Sequence, residues 1–220
     1  MSGRTAEEHT LLVATRNAGK LRELQPMLRA AGFAPVSLLE AGLPEDESEE
    51  SIEVADTFAG NALAKARWFH QRSGLATVAD DSGLVVRALS GAPGVRSRRF
   101  SGRADLAGRA LDAANNAALL SALEGVEDRT AAFVCAAAFV DASGELVAEG
   151  RVEGRIIETE RSGEHGFGYD PHFLSDELGV TFAEAAPGLK ERVSHRGRAV
   201  RRLLAQMAES GLGPGVERAG

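Results

Sequence analysis

Two adjacent carboxylates, Asp80 and Asp81, are the residues of this sequence best suited to chemistry. They follow the apolar run 75–79 and precede Ser82 and Gly83. Like charges repel, and a partly buried carboxylate prefers to be neutral unless a cation or hydrogen-bond donors hold it ionised. A divalent metal that also binds phosphate oxygens would provide that cation. A hairpin turn explains the same four residues equally well, because Asp, Ser and Gly all favour turns.

A second group of polar residues lies where a short buried strand leads directly into a helix. This loop consists of Thr15, Arg16, Asn17, Ala18, Gly19 and Lys20. Free backbone N–H groups and the positive end of the helix dipole favour an anion at such a position. Thr15 and Asn17 add hydrogen-bonding side chains, and Lys20 adds a positive charge. The glycine spacing is not that of a Walker A loop. A capped helix with basic surface residues is the alternative.

An aromatic ring framed by glycines occurs at Phe167, which stands between Gly166 and Gly168. Glycine permits close approach of the backbone to a ligand, and a ring with little local packing is a natural stacking platform for a nucleobase. Tyr169, the only tyrosine of the chain, and Asp170 follow directly. The alternative is a turn in which Phe167 and Tyr169 fill the core.

Basic residues form a further candidate group near the last predicted helix. Lys190 precedes Ser194, which can cap that helix and place His195 and Arg196 at its N-terminal end. A bound anion would offset the unfavourable interaction of these basic groups with the helix dipole. A solvated basic helix start is the alternative. Together with the acid pair, the three loops indicate a phosphate site, a base platform and a metal.

Hydrophobic periodicity indicates the elements that must position these groups. It predicts strands over 10–15, 76–79, 84–89, 130–141 and 146–157, and helices over 20–31, 57–73, 106–123 and 197–209. Pro26 should bend or shorten the first helix, and the acidic run 45–50 should be a solvated loop. Strands and helices alternate in the first part of the chain, and a long hairpin follows in the later part. This order predicts an α/β fold with a mixed sheet, in which ligands bind beyond the strand ends.

The composition suits one domain over residues 10–209, with flexible ends over 1–9 and 210–220. The 220 residues are 44% hydrophobic, yet no apolar stretch is long enough to span a membrane. The net charge of −7 argues against binding to nucleic acid. Cys135 is the only cysteine and lies in an apolar run, so we expect a buried side chain and a cytoplasmic protein.

Six motifs, in this order along the chain, resemble the inosine triphosphate pyrophosphatase family, whose members hydrolyse ITP, dITP and XTP. They are Ala14 to Lys20, Thr57-Phe58 with Asn61-Ala62 and Lys65-Ala66, Ala79 to Leu84, Gly91 to Val95, Phe167 to Pro171, and Ser194 to Gly197. The resemblance runs from about Leu11 to Ala208. It implies an elongated α/β fold with a long twisted mixed β-sheet flanked by helices, two lobes with a central cleft, and a homodimer.

The resemblance also implies a Mg²⁺-dependent split of the α–β phosphoanhydride into a nucleoside monophosphate and pyrophosphate. In the pattern of the family, Asp81 is the general base and a metal ligand, and Glu53 is a further ligand. The triphosphate would be held by Thr15, Arg16, Asn17, Ala18, Gly19, Lys20 and Ser82. The nucleotide, mainly its base, would be enclosed by Phe167, Gly168, Tyr169, Asp170, Lys190, His195 and Arg196. These purine nucleotides share a 6-oxo group, and a site that donates a hydrogen bond to it would reject adenine.

Several points stay open at this stage. Asp80 is a second ligand or tunes its neighbour, and Lys65 reaches phosphate or is an exposed helical lysine. Gly60 stands where the family commonly has Glu, and the stretch 95–100 is more basic than usual, which indicates extra phosphate attraction or a dimer surface. Two other functions fit the same residues: a catalytically silent nucleotide-binding protein, and a pyrophosphatase for other modified nucleotides.

Overall fold

Six strands form one mixed sheet in the computed structural model, which describes residues 10–161, 163 and 166–212. The strands are β1 (Thr10–Val13), β2 (Ala34–Ser37), β3 (Thr77–Val86), β4 (Thr130–Asp141), β5 (Gly144–Ile156) and β6 (Phe173–Ser175). Their order in the sheet is β2-β1-β3-β4-β5-β6. β1 is parallel to β2 and β3, whereas β5 and β6 are antiparallel. The predicted α/β fold with a mixed sheet is confirmed.

The described residues form five α-helices. They are α1 (Ala18–Ala30), α2 (Phe58–Ser73), α3 (Gly108–Ala122), α4 (Pro187–Val193) and α5 (His195–Glu209). The Thr57 side chain caps α2 by accepting a hydrogen bond from the Gly60 N–H. Gly74 ends α2 with φ of 70°, a left-handed conformation that glycine adopts without strain. The boundaries predicted for this helix are therefore confirmed.

The chain forms two compact units, of which the first combines the chain up to Asp81 with Ala136–Glu149 and the chain from Ala199. Its core residues are Leu12, Ala14, Leu38, Ala62, Ala66, Phe69, Ala79, Ala136, Ala138 and Val140. The residues that α2 contributes are three or four positions apart and so share one face of the helix. Asn61 and Lys65 each precede one of these buried alanines. Packing of the apolar face therefore orients both polar side chains as well.

The second unit combines Ser82–Cys135 with Gly150–Arg198. Its core residues are Leu84, Val86, Leu119, Leu123, Ala131, Phe133, Val152, Ile156, Tyr169, Phe173 and Phe182. The rings of Phe133, Phe173 and Phe182 pack together, with centroid distances of 4.6 to 5.8 Å. Such aromatic contacts add to the stabilisation from buried area. Of these rings, Phe133 lies beside the loop at 167–170.

Several predicted boundaries are wrong. The two short strands predicted on either side of the acid pair are one continuous strand, β3, so Asp80 and Asp81 lie within it and not in a hairpin turn. α1 continues past Pro26 to Ala30, so the helix is not shortened there. The acidic run forms a 3₁₀ helix at Glu47–Ser51. Strands β2 and β6 and helix α4 were not predicted, because each is short and carries little periodic signal.

Other expectations are confirmed or fall outside the described residues. Cys135 is fully buried and reduced. The hairpin of β4 and β5 has the predicted position along the chain. Within the described residues, we find no helix with both the length and the apolar character needed to cross a membrane. The predicted flexible N-terminus, 1–9, and the part 213–220 of the predicted tail lie outside the described residues.

Candidate active site

Asp81 is held in a buried polar cluster of the first unit. Its Oδ2 accepts a hydrogen bond of 3.0 Å from the Asn61 side-chain amide. The Asn61 Oδ1 in turn accepts from the Ala55 N–H at 2.9 Å. Asn61 is 1% exposed and Asp81 is 7% exposed, so little water competes for either bond. Both groups of the Asn61 amide are used, which fixes its orientation and that of the carboxylate.

Two lysines neutralise the acid pair. Lys20 Nζ lies 3.2 Å from the Asp80 carboxylate and 3.3 Å from the Asp80 carbonyl oxygen. Lys65 Nζ donates to the same carbonyl at 3.1 Å and forms an ion pair with Glu53. The Lys65 side chain is only 12% exposed, so the alternative of an exposed helical lysine is wrong. Two ammonium groups thus face three carboxylates in one cluster.

The surroundings shift the pKa values of this cluster in different directions. Burial raises the pKa of Asp81 above its ordinary value, against the opposing effect of Lys20 and Lys65. Burial would lower the pKa of Lys65, but Glu53, Asp80 and Asp81 together raise it above the ordinary value. Burial likewise raises the pKa of Glu53, and Lys65 reverses this to a net lowering. The pKa of Asp81 is therefore shifted upward and that of Glu53 downward from their ordinary values.

The donor set of the cluster suits Mg²⁺. Among the described residues, no group of three or more His, Cys, Asp or Glu side chains is arranged to hold a metal ion. Mg²⁺ is usually held by one or two carboxylates together with substrate phosphates, and not by a cage made only of protein ligands. The three carboxylates of the cluster carry one negative charge more than its two lysines, and Asp81 and Glu53 match that pattern.

The loop between β1 and α1 is a capped helix start. Asn17 Oδ1 accepts hydrogen bonds from the N–H groups of Gly19 at 2.8 Å and Lys20 at 3.1 Å. The Asn17 N–H donates to the Thr15 hydroxyl at 3.2 Å. The capped-helix alternative therefore describes the local bonding of this loop. Of its side chains, only Lys20 reaches the acid pair.

Arg16 is directed to a different part of the first unit. Its guanidinium donates to both carboxylate oxygens of Glu49, at 3.1 and 2.6 Å. It also donates to the carbonyl oxygens of Leu43 at 2.9 Å and Pro44 at 2.7 Å. These bonds hold the segment 43–49, and hence the 3₁₀ helix that precedes Glu53. The sequence pattern did not indicate this structural use of Arg16.

A small pocket lies in the second unit. It has a volume of about 50 Å³, which is room for one or two water molecules. The lining residues are Ser82, Gly83, Phe133, Phe167, Gly168, Tyr169, Asp170, Lys190, His195 and Arg196. Seven of these were predicted from the sequence to enclose a nucleotide, and Ser82 was predicted to lie beside the phosphates. A purine base is several times larger than a water molecule, so the pocket must widen to admit one.

Cations surround the ring of Phe167. The Lys190 ammonium lies 5.2 Å from the ring centroid and the Arg196 guanidinium 5.7 Å from it. Both distances are within the range of cation–π attraction. Lys190 also donates to Asp170 Oδ2 at 2.7 Å, and the same oxygen accepts from the Phe167 N–H at 2.8 Å. Asp170 thus binds both the Lys190 ammonium and the Phe167 N–H through one oxygen and holds them close together.

The remaining pocket residues are fixed by the core. The His195 ring stacks on Phe133, with centroids 4.7 Å apart and an interplanar angle of 13°. Arg196 Nη2 donates to the Ser82 hydroxyl at 2.9 Å. Ser194 Oγ accepts from the Gly197 N–H at 3.1 Å and so caps α5, as predicted. The basic helix start is buried, so the alternative of a solvated helix start is wrong.

Tyr169 packs into the core of the second unit, and its hydroxyl donates to the Ser97 carbonyl at 2.7 Å. For this side chain the core-filling alternative is confirmed, whereas Phe167 stays at the pocket. Sequence reasoning missed Asn61 as a partner of Asp81. A signal was present, because Asn61 and Lys65 are four residues apart and share one face of α2. It also missed Asp112 and Asn116 of α3, which contact the loop at Gly168.

Comparison with known proteins decides the family. The model of the Ham1 family matches residues 11–206, nearly the whole chain. The chain belongs to the Ham1 family. Both the acidic cluster of the first unit and the pocket of the second lie within this match.

Two named relatives are similar to this chain over most of their length. A dITP/XTP pyrophosphatase of Mycolicibacterium paratuberculosis is 50% identical over 199 residues, which cover 88% of this chain and 93% of that protein. One of Burkholderia pseudomallei is 45% identical over 208 residues, covering 93% and 96%.

Solved structures of relatives share the fold of this chain. The Ham1 protein of Staphylococcus aureus aligns with a TM-score of 0.76 at 31% identity, over 91% of this chain and 99% of that one. A nucleoside-triphosphatase, named dITP/XTP pyrophosphatase, from Mycobacterium abscessus aligns with a TM-score of 0.67 at 47% identity, over 89% and 98%.

Proposed function

We propose that this Ham1-family protein is a nucleoside triphosphate pyrophosphatase that hydrolyses dITP, ITP and XTP. The products are the nucleoside monophosphate and pyrophosphate. Such an activity removes non-standard purine nucleotides from the precursor pool and keeps them out of DNA and RNA. The named relatives support the reaction class and the substrates. The observation that carries the proposal in this chain is the buried Asp81, oriented by Asn61 and flanked by Lys20 and Lys65.

Asp81 is suited to take a proton from the attacking water. Its raised pKa makes it a stronger base than an ordinary aspartate, and Asn61 fixes the direction of its carboxylate. Water adds to a phosphorus of the α–β anhydride, its proton passes to Asp81, and the bridging oxygen leaves with the other product. Lys20 and Lys65 are fixed positive charges that stabilise the charge developing on phosphate oxygens.

Asp81 and Glu53 are the residues that would hold Mg²⁺, as the carboxylate chemistry of the cluster allows. A bound divalent ion neutralises charge on the phosphate oxygens and favours attack by an oxygen nucleophile. Asp80 is a positioning residue in this scheme, because its carboxylate and carbonyl hold Lys20. The loop from Thr15 to Lys20 would contribute Lys20 to the phosphate site, because the Lys20 ammonium lies beside Asp80, whereas Arg16 is bound to Glu49.

The pocket of the second unit is the proposed site for the base. Phe167 provides a ring for stacking, and the buried cations Lys190 and Arg196 supply hydrogen-bond donors. A donor that faces the 6-oxo group of hypoxanthine or xanthine would face the amino group of adenine and lose its partner. His195, Gly168, Tyr169 and Asp170 form the remaining wall.

The assembly and location follow the same family pattern. We propose a homodimer, for which the exposed basic 3₁₀ segment Gly94–Arg99 is one candidate surface. We also propose a cytoplasmic protein, in agreement with the single buried cysteine. Size-exclusion chromatography with light scattering tests the dimer directly.

One assay tests the function. Pyrophosphate release is measured from ITP, dITP, XTP, GTP, ATP and dUTP, with and without Mg²⁺. We expect release from the first three substrates, and only with Mg²⁺. Asp81→Asn should lower kcat for ITP by a factor of about 10² to 10⁴, the range for a lost general base. Asp105→Asn is the matched control, because Asp105 forms an exposed ion pair with Arg103 on the surface.

The outcomes separate the competing functions. Near-normal turnover by Asp81→Asn would refute the assignment of the base. Binding of ITP without any product would favour a silent nucleotide-binding protein. A preference for dUTP would favour the pyrophosphatase for other modified nucleotides.

A further inference from the structure

Helix α3 forms hydrogen bonds to the loop at 167–170 through Gly168. The Gly168 N–H donates to Asp112 Oδ2 at 3.0 Å, and the Asn116 side-chain amide donates to the Gly168 carbonyl at 3.0 Å. Asp112 and Asn116 are four residues apart and therefore lie on the same face of α3. Both backbone hydrogen-bonding groups of Gly168 are thus held by a single helix.

Gly168 has a left-handed backbone conformation, and glycine is flexible enough to leave it unless hydrogen bonds hold it. Its φ is 61°, in the left-handed region that glycine adopts most easily. A Cβ added at this position would meet no atom within 4 Å. Tight packing around the residue therefore does not impose the conformation. Two hydrogen bonds from α3 hold this conformation, together with the turn in which the Asp170 N–H donates to the Phe167 carbonyl at 3.3 Å.

The conformation of Gly168 determines where the Phe167 ring lies. Among the described residues, the core of the second unit includes the neighbouring Tyr169 but not Phe167. The Phe167 ring is half-buried, and Lys190 and Arg196 lie within cation–π distance of it. The Phe167 N–H donates to Asp170, and the next residue, Gly168, is bound to α3. Backbone anchoring, more than side-chain packing, therefore places this ring.

We propose that Asp112 and Asn116 are positioning residues for nucleobase binding, which act by holding Gly168 and thereby orienting Phe167. The proposal rests on the function proposed above and assigns a new role to α3 within it. It requires an acceptor at position 112 and a donor at position 116. Side-chain volume at either position is of secondary importance.

Two substitutions of equal shape give opposite expectations. Asp112→Asn keeps an oxygen that can accept from the Gly168 N–H, so it should behave like the unmodified protein. Asn116→Asp replaces the donor with an acceptor, which then faces the Gly168 carbonyl oxygen. We expect this variant to raise KM for ITP about tenfold, equivalent to about 1.4 kcal/mol. The value of kcat should change less than about twofold, because stacking of the base contributes equally to substrate and transition-state binding.

Alanine variants and a surface control complete the set. Asp112→Ala and Asn116→Ala each remove one hydrogen bond and should also raise KM with little change in kcat. Ser121→Ala lies on an exposed part of α3 and should leave both constants unchanged. Thermal unfolding of every variant shows whether it folds. If Asn116→Asp does not fold, the comparison of Asp112→Asn with the two alanine variants decides.

The results distinguish failure of this inference from failure of the proposed function. Equal effects of Asp112→Asn and Asn116→Asp, or no effect of any variant on KM, would overturn the role of these hydrogen bonds. A loss in kcat with unchanged KM would also overturn it. If the unmodified protein releases no pyrophosphate, the proposed function fails. Calorimetric titration with ITP then tests the same variants, and an unchanged Kd in Asn116→Asp and both alanine variants would reject the inference.

Discussion

At the scale of single residues, the site depends on amides and lysines that hold a carboxylate in place. Asp81 is buried, and burial alone would favour its neutral form. Asn61 gives it a directed hydrogen bond, while Lys20 and Lys65 balance the charge of the pair. Asn61 is thus the group most able to control the orientation of the proposed base without contacting substrate.

We predict that Asn61→Ala lowers kcat for ITP about 10- to 100-fold, because a small displacement of a catalytic group is costly. It should also lower the free energy of unfolding by about 1 to 3 kcal/mol, since the Ala55 N–H loses its partner. Steady-state kinetics and urea unfolding measure the two effects.

Asn115→Ala provides the matched control for this variant. Asn115 is also buried and makes two hydrogen bonds, with Ser101 and Arg98, but it does not contact the acid pair. We expect a similar loss of stability and a kcat close to that of the unmodified protein. Equal losses of kcat in the two variants would show that Asn61 acts only through stability.

At the scale of elements, the positions of short segments are set by side chains from elsewhere in the chain. The 3₁₀ helix Glu47–Ser51 has its own capping box, formed by Asp46 and Glu49. It is also tied to the start of α1 by the bidentate pair of Arg16 and Glu49. This segment leads to Glu53, so its position affects the proposed metal ligand.

We predict that Glu49→Ala raises the Mg²⁺ concentration for half-maximal activity a few-fold, with roughly unchanged kcat at saturating Mg²⁺. The reason is that the segment before Glu53 loses its anchor, whereas Asp81 and its partners stay in place. Pyrophosphate release as a function of Mg²⁺ concentration measures the effect.

Glu145→Ala is the control, because Glu145 forms the same type of bidentate pair with Arg67 on the exposed surface of the first unit. Surface pairs contribute little to stability. If both variants had the same Mg²⁺ dependence as the unmodified protein, the Arg16–Glu49 contact would have no influence on the metal site.

At the scale of the whole molecule, two apolar cores are joined by continuous strands. β3, β4 and β5 each contribute residues to both units. If one unit unfolded alone, part of each shared strand would lose its inter-strand hydrogen bonds. The backbone groups at the break would then be unpaired, which is unfavourable. We therefore expect the two units to unfold together.

We predict that Phe173→Ala, in the core of the second unit, destabilises the protein by about 3 to 5 kcal/mol. The urea concentration at the midpoint of unfolding should fall by the same amount whether Trp68 fluorescence or far-UV circular dichroism monitors it. Trp68 packs on Phe69 in the first unit, whereas the substitution is in the second. Trp68 is the only tryptophan, so its signal reports that unit alone. Far-UV circular dichroism reports both units, and two separated transitions would contradict cooperative unfolding.

Local signals allowed much of the fold to be predicted from the sequence. The cap at Thr57, the glycine at 74 and the alternating strands of the hairpin each act within a few residues, so their effect can be read from the chain. The short strands β2 and β6 were missed because they are stabilised mainly by neighbouring strands. Asp-Ser-Gly favours a turn, yet the tertiary environment of Asp80 and Asp81 overrides that preference.

The sequence by itself determined the chemical groups of this protein: the acid pair, the basic loops, the ring between glycines and their family order. Only the tertiary structure decided which group neutralises or orients which. It assigned Lys65 to Glu53, Asn61 to Asp81, Arg16 to Glu49, and Asp112 with Asn116 to Gly168. The sequence specifies the side-chain types. The electrostatic and hydrogen-bond partner of each side chain depends on tertiary distances, because the partners are far apart in the sequence and come together only in the folded protein.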